Sequence, residues 1–351
     1  MVNVVITGGA GFLGSRLARE LLAAGPLEVA GGEARPLSRV TLIDQAPVPP
    51  DLAADERVTA VRGDLVELLD PASAGPDTLA TGGMGDIRGI WGEAEVIFHL
   101  AAAVSGECEA DFDLGIRANL RATEALLASC RALGTSPLVV FTSSLAVFGG
   151  SGDHPLPEVV DDQTLPNPQT SYGAQKVIGE QLLADYTRKR FLRGRALRLV
   201  SISVRAGRPN AAASGFMSGI IREPLAGQRA TCPVDPDTEV ALASPAKAIA
   251  GLLCAATASD QAWGGRSAVN LPALTISVAD MAAALSRIAG PQVSALIDWI
   301  PDPEVARIVA SWPARVRADR AARLGLTPDP DFDSIIRMHL AESRSWADGG
   351  R

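Results

Sequence analysis

The chain has 351 residues, 47% of them hydrophobic and 21% charged, with a formal net charge of −8. That length suits one large or two joined domains with a substantial core, and the acidic balance argues against nucleic acid, which selects basic patches. Cys108, Cys130, Cys232 and Cys254 stand far apart and histidines number 3, so neither a metal site nor a disulfide framework is expected.

The first run, Val2-Asn3-Val4-Val5-Ile6, is β-branched and follows no apolar signal segment, so a cytoplasmic location is expected. Thr7-Gly8-Gly9-Ala10-Gly11-Phe12-Leu13-Gly14 follows, and residues 15–24 read as a helix with Leu17, Leu21 and Leu22 on its apolar side. Strand, glycine turn and helix in that order are the context a dinucleotide fingerprint requires. Gly8 permits the tight turn, Gly11 lets amides approach a pyrophosphate at the helix N-terminus, and Gly14 allows close packing of helix on strand. The Gly- and Pro-rich residues 25–39 are long enough for an inserted loop. Val40-Thr41-Leu42-Ile43 is a second strand ending in Asp44, whose carboxylate can accept hydrogen bonds from ribose hydroxyls and repel a 2′-phosphate. Gln45-Ala46-Pro47 offers no arginine to hold that phosphate, so NAD is favoured over NADP; a plain turn residue is the other reading of Asp44. Residues 58–61 form a third strand leading into Gly63-Asp64-Leu65, where Asp64 can also be a helix N-cap. The glycine-rich residues 71–92 lengthen the connection to a fourth strand within 95–103, in which His99 reads as structural. A helix at 117–131 carries Asn119. Leu138-Val139-Val140-Phe141 is a central strand with Thr142, Ser143 and Ser144 at its C-terminal end, where open parallel sheets carry ligands.

Ser171-Tyr172-Gly173-Ala174-Gln175-Lys176 then places a tyrosine and a lysine on one helix face. A phenol keeps its proton to pH about 10, and a nearby ammonium favours the phenolate. Such a pair can deprotonate an alcohol or protonate a carbonyl near neutral pH. Tyr-x-x-x-Lys alone would read as an exposed helix pair, but here it follows a nucleotide turn and a strand ending in two serines. The combination resembles the short-chain dehydrogenase/reductase superfamily in its extended, epimerase/dehydratase branch.

That resemblance implies an α/β protein: a Rossmann doubly wound parallel sheet with a smaller C-terminal α/β substrate-binding lobe. Residues 1–204 plus 239–259 would form the NAD-binding domain, and 205–238 plus 260–351 the substrate lobe. NAD would lie along Gly8, Gly11, Phe12, Leu13, Asp44, Asp64, Leu65, Leu100, Ala101, Ala102 and Asn119, with Asp64 at the adenine amino group. Ser144, with Ser143 as its competitor, would orient the reacting oxygen; Tyr172 would exchange the proton; Lys176 would hold the nicotinamide ribose and lower the tyrosine pKa. No metal takes part in that chemistry. Helices at 117–131 and after Tyr172 form a dimer bundle in many relatives, which implies a possible homodimer.

Residues 196–205 read as one more strand. Beyond it, Ala206-Gly207-Arg208-Pro209-Asn210 stands where sugar-nucleotide epimerases carry a Tyr-Phe-Asn-x-Tyr-Gly-Pro type segment, and is similar instead to the D-erythronate dehydrogenase family. The likeness extends through Ile220-Ile221-Arg222-Glu223-Pro224-Leu225, Cys232-Pro233-Val234-Asp235-Pro236 and Arg323-Leu324-Gly325-Leu326. It implies NAD-dependent oxidation of the 2-hydroxyl of a four-carbon sugar acid. Val200-Ser201 in place of Pro-Thr, and Ala206 in place of proline, loosen a pocket-shaping loop and leave an altered substrate range as an alternative. A sugar-acid carboxylate suits the planar fork of arginine, so Arg205 and Arg208 are candidates, joined by Ser105, Ser143, Ser144, Ser201 and Asn210. A nucleotide-sugar epimerase or dehydratase is the competing function. Membrane partners are not expected, because the most apolar later stretch, 241–256, is interrupted by Pro245 and Lys247 and is too short to span.

Overall fold

The computed structural model describes residues 1–69, 89–207 and 212–348. Its β-branched runs are buried on both faces, as in a parallel sheet covered by helices. Strands β1 (Val2–Thr7), β2 (Leu37–Asp44), β3 (Val58–Arg62), β4 (Val96–His99), β5 (Leu138–Ser144), β6 (Arg193–Leu199) and β7 (Val269–Asn270) form one sheet. Their order is β7-β6-β5-β4-β1-β2-β3. β1 pairs in parallel with β2 and β4, β2 with β3, and β4 with β5. Strand order reverses at β1 and β4, and at such a switch point the loops part to leave a crevice beyond the strand ends. The expected Rossmann sheet is therefore present. Helix α1 (Phe12–Ala24) follows β1, α2 (Leu65–Leu69) follows β3, α3 (Ser105–Ala110) and α4 (Ala122–Leu133) lie between β4 and β5, and α5 (Ser171–Arg188) precedes β6.

Several elements differ from the sequence expectation. The insertion at 25–39 is in part a hairpin, Leu27–Glu28 against Ala34–Arg35. Its turn is tied by the amides of Ala30 and Gly31 to the carbonyls of Ala256 and Thr257 at 2.9 and 2.7 Å. The helix expected at 117–131 starts as a π-helix, Ile116–Arg121, a form often found at functional sites, and this turn contains Asn119. The strand expected at 196–205 is two: β6 ends at Leu199, and Ser201–Ile202 joins a different sheet, parallel to Glu239–Ala243, which is itself antiparallel to Leu274–Ser277. Residues 239–259 comprise that strand followed by a helix, Pro245–Thr257.

The break after β6 has a tertiary cause, since the chain passes there from one compact unit to another. One unit comprises Met1–Ser144, Ala174–Arg198 and Ile249–Val269; the other comprises Leu145–Gly173, Leu199–Ala248 and Asn270–Arg351. Residues 145–173, 199–204 and 239–248, assigned from sequence to the nucleotide-binding part, fall in the second unit. Each unit has its own apolar core. Val5, Ile97, Leu126, Val139 and Phe141 belong to the first, and Ile220, Leu242, Met281, Leu285 and Ile336 to the second. Among the described residues no helix is long and apolar enough to cross a membrane.

Candidate active site

In the first unit the C-terminal ends of β1, β2 and β4 surround a cavity of about 420 Å³, lined by Gly8, Gly11, Asp44, Asp64, Leu65 and the run from Leu100 to Ala103. The glycine turn is shaped by close approach of backbone. Gly8 sits at φ +71, and a Cβ on it would lie 2.8 Å from the Ala101 amide; a Cβ on Gly14 would lie 2.1 Å from the Gly8 carbonyl oxygen. Gly11, as N-cap of α1, offers no side chain to the first-turn amides, and no acidic residue stands in that turn. Those amides of Phe12 and Leu13 are donors for an anion. Asp44 accepts from the amides of Ala10 and Ala46, each at 3.0 Å, which holds its carboxylate at the cavity edge. Asp64 both lines the cavity and caps α2, accepting from Val66 N at 2.8 Å, and it pairs with Arg117 at 3.2 Å. An adenine dinucleotide fits this set of groups. Amides await the pyrophosphate, a carboxylate the ribose, and small residues at 101–103 leave room against the backbone.

Beneath the cavity a buried chain of hydrogen bonds fixes the loop after β4. Thr123 Oγ1 donates to Asn119 O at 2.6 Å and must accept from His99 Nε2 at 2.9 Å, so His99 Nδ1 accepts from Thr7 Oγ1 at 2.7 Å. Thr7 Oγ1 in turn accepts from the Ala101 amide at 3.3 Å. Burial pushes the His99 imidazole down to about 3, with the Lys176 charge adding to the effect, so the ring is neutral. His99 is thus a structural link, as the sequence reading had it. Asn119 accepts from Ala103 N at 2.8 Å and donates to Gln175 Oε1 at 2.7 Å, tying the π-turn to α5. It supports the cavity wall from behind and does not line it.

At the end of β5 the two candidate serines differ. Ser143 is buried and donates to Glu180 Oε1 at 2.5 Å; Ser144 is partly exposed. Glu180 is gripped by Arg198 through two bonds, Nε to Oε1 at 2.8 Å and Nη2 to Oε2 at 2.7 Å, with both side chains buried. Lys176, one turn before Glu180 on α5, donates to Thr142 O at 2.9 Å and lies 4.9 Å from the centre of the Phe141 ring. Burial lowers its amine to about 8, while Cys108 and Glu180 favour the charge. Glu180 and Arg198 were not singled out as site residues from sequence. Glu180 stands four residues after Lys176, the same helical interval that separates Tyr172 from Lys176, and that is the signal the sequence carries for it; its partner comes from β6 and is placed only by folding.

The second unit contains the first turn of α5 with Tyr172, which is partly buried. A Cβ on Gly173 would meet the Ala146 carbonyl oxygen at 2.1 Å, so glycine there lets the helix start pack directly on backbone. Ser201 is buried in its short strand. Arg205 is partly buried, its Nε donates to Ile202 O at 3.2 Å, and its carbonyl accepts from Arg222 at 2.8 Å. Burial lowers the Arg205 pKa, and Tyr172 is near enough for a phenolate charge to oppose that shift. Ser105 begins α3 in the first unit and is buried. Arg208 and Asn210 lie outside the described residues. Among the described residues no group of three His, Cys, Asp or Glu side chains could hold a metal ion.

The NAD dependent epimerase/dehydratase family matches residues 4–242. D-erythronate dehydrogenase of Cupriavidus necator is 48% identical over 342 residues, covering 97% of this chain and 99% of that protein. The enzyme of the same name from Haemophilus influenzae is 37% identical over 340 residues, with 97% and 99% covered. Among solved structures, a nucleoside-diphosphate-sugar epimerase from Agrobacterium tumefaciens has a TM-score of 0.82 at 38% identity, over 98% of this chain and 95% of that one. L-threonine 3-dehydrogenase from Trypanosoma brucei shares the fold, with a TM-score of 0.78 at 21% identity over 97% of each chain. With a cavity that fits an adenine dinucleotide, these likenesses place the chain: it is an NAD-dependent oxidoreductase and belongs to the NAD-dependent epimerase/dehydratase family.

Proposed function

We propose that the chain oxidises the 2-hydroxyl of D-erythronate to 2-dehydro-D-erythronate. The observation that carries the substrate is end-to-end similarity, at 48% and 37% identity, to two proteins named for that dehydrogenase. The chemistry of Arg205 supports it. The described bond from its guanidinium uses Nε, so the paired Nη groups are available for a carboxylate.

In this reading NAD, when bound, supplies the hydride acceptor. Tyr172 takes the hydroxyl proton on its phenol oxygen as the substrate carbon gives up hydride, so alcohol becomes ketone. Lys176 holds the cofactor ribose and favours the phenolate with a charge that burial keeps near its titration point. Ser144 orients the reacting oxygen. Ser143, turned to Glu180, keeps β5 and α5 in register beneath it. Ser105 and Ser201 are offered to the substrate hydroxyls. Arg208 and Asn210 are further candidates for the acid group. The first unit is assigned to the cofactor and most of the second to the acid. A cytoplasmic homodimer is proposed on the resemblance; the four thiols form no disulfide, in keeping with that compartment.

Adding D-erythronate and NAD should cause NADH absorbance to rise continuously. Arg205→Met should raise KM for the acid about ten- to hundredfold while barely changing KM for the neutral polyol of equal length. Equal losses on both would remove Arg205 from the reading. The likeness to the Agrobacterium epimerase favours one alternative, a nucleotide-sugar epimerase, which would interconvert its substrate without net NADH.

A further inference from the structure

The preference for NAD was argued from two features, a carboxylate at Asp44 and the lack of an arginine in the residues just after it. The fold removes the second. β2 and β3 pair so that Asp44 and Arg62 are register partners, and register partners in a parallel pair share a face. Arg62 is exposed, and its Nε donates at 3.0 Å to the carbonyl of Gln45, the residue after Asp44. No further hydrogen bond or ion pair engages its Nη groups among the described residues. A guanidinium fork therefore lies beside Gln45, which lines the cavity, on a residue in register with Asp44.

The Asp44 carboxylate meanwhile occupies a small anion site. Its two oxygens accept separately from Ala10 N and Ala46 N, both at 3.0 Å, and these are donors a phosphate oxygen could use equally well. Asp64, the other acid on this wall, is paired with Arg117 at 3.2 Å and adds less repulsion. We infer that Asp44 fills, with its own side chain, a ready-made 2′-phosphate site consisting of the Ala10 and Ala46 amides and Arg62. One carboxylate, and not the want of a cation, then sets the cofactor preference.

The ligands 2′,5′-ADP and 5′-AMP differ only in that phosphate, so their dissociation constants, measured by calorimetric titration, report on the site independently of turnover. For Asp44→Ala the affinity for 2′,5′-ADP relative to 5′-AMP should rise about ten- to hundredfold over the wild type, the range of one charge-assisted contact regained. Adding Arg62→Met to that variant should cancel most of the gain. Arg62→Met alone should change the wild-type ratio less than about threefold. A gain that survives loss of Arg62, or no gain in a folded Asp44→Ala protein that still binds 5′-AMP, overturns the inference. Should Asp44→Ala not fold, Asp44→Asn keeps an acceptor for the amides and removes the charge; a smaller gain with the same dependence on Arg62 is then required.

Discussion

Lys176 carries its charge where burial disfavours it, and that makes the residue costly to the fold as well as useful to the chemistry. Its amine is lowered from the usual 10.5 to about 8, chiefly by desolvation. Between those two values the unfolded chain binds a proton that the folded chain does not, so the lysine's contribution to stability rises with pH across that window and the full penalty is present below it. At 1.36 kcal/mol per unit, this is on the order of 3 kcal/mol. Lys176→Met leaves the Thr142 carbonyl without its donor, a loss of about 1 kcal/mol that offsets part of the gain. Turnover of Lys176→Met should fall at least about 100-fold, while its melting temperature at pH 7 exceeds that of the wild type, with the difference shrinking by pH 10. A deficit of equal size at both pH values would mean that the amine is not held down by burial. Tyr172→Phe removes the proposed proton carrier and keeps the shape. It should lose at least about 100-fold in kcat with NAD affinity unchanged, and retained turnover would disprove the assigned role.

Two elements depend on glycines that admit no side chain. In the β1-turn-α1 unit, a methyl group on Gly14 would stand 2.1 Å from the Gly8 carbonyl oxygen, so Gly14→Ala must push α1 away from the turn whose amides await the pyrophosphate. NAD affinity measured by fluorescence titration should drop at least about tenfold, and more than for Gly11→Ala, whose nearest contact would be at 3.1 Å. At the start of α5, Gly173 is pressed equally close to the Ala146 carbonyl oxygen, at 2.1 Å. Gly173→Ala should displace the turn bearing Tyr172 and lower kcat, while NAD affinity, which we assign to the first unit, should stay near that of the wild type. Loss of NAD binding in Gly173→Ala with kcat preserved would reverse the division of labour between the units.

For the whole molecule, a ligand that binds the folded state alone must stabilise it. NAD at 100 times its dissociation constant should add about 2.7 kcal/mol and raise the melting temperature by several degrees, and Asp44→Ala should show a smaller rise at the same NAD concentration. An equal rise would remove Asp44 from the binding site. The part of this protein legible in the sequence is the part written in short-range pattern. The glycine interval 8, 11 and 14, Asp44 at a strand end, and Tyr172 and Lys176 one helical turn apart each encode a backbone shape or a shared face within a few residues. Long-range pairing was invisible. That Ser143 turns to Glu180 and Arg198, that β6 ends where the chain changes unit, and that Arg62 stands beside Asp44 follow from strand register and side-chain burial. Sequence alone thus determined the glycine turn between strand and helix and the helical spacing of Tyr172 and Lys176, because local geometry sets them. Tertiary structure decided which serine faces the buried carboxylate and which cation stands in register with Asp44, because those partners lie 37 and 18 residues apart and meet only when the sheet and its helices assemble.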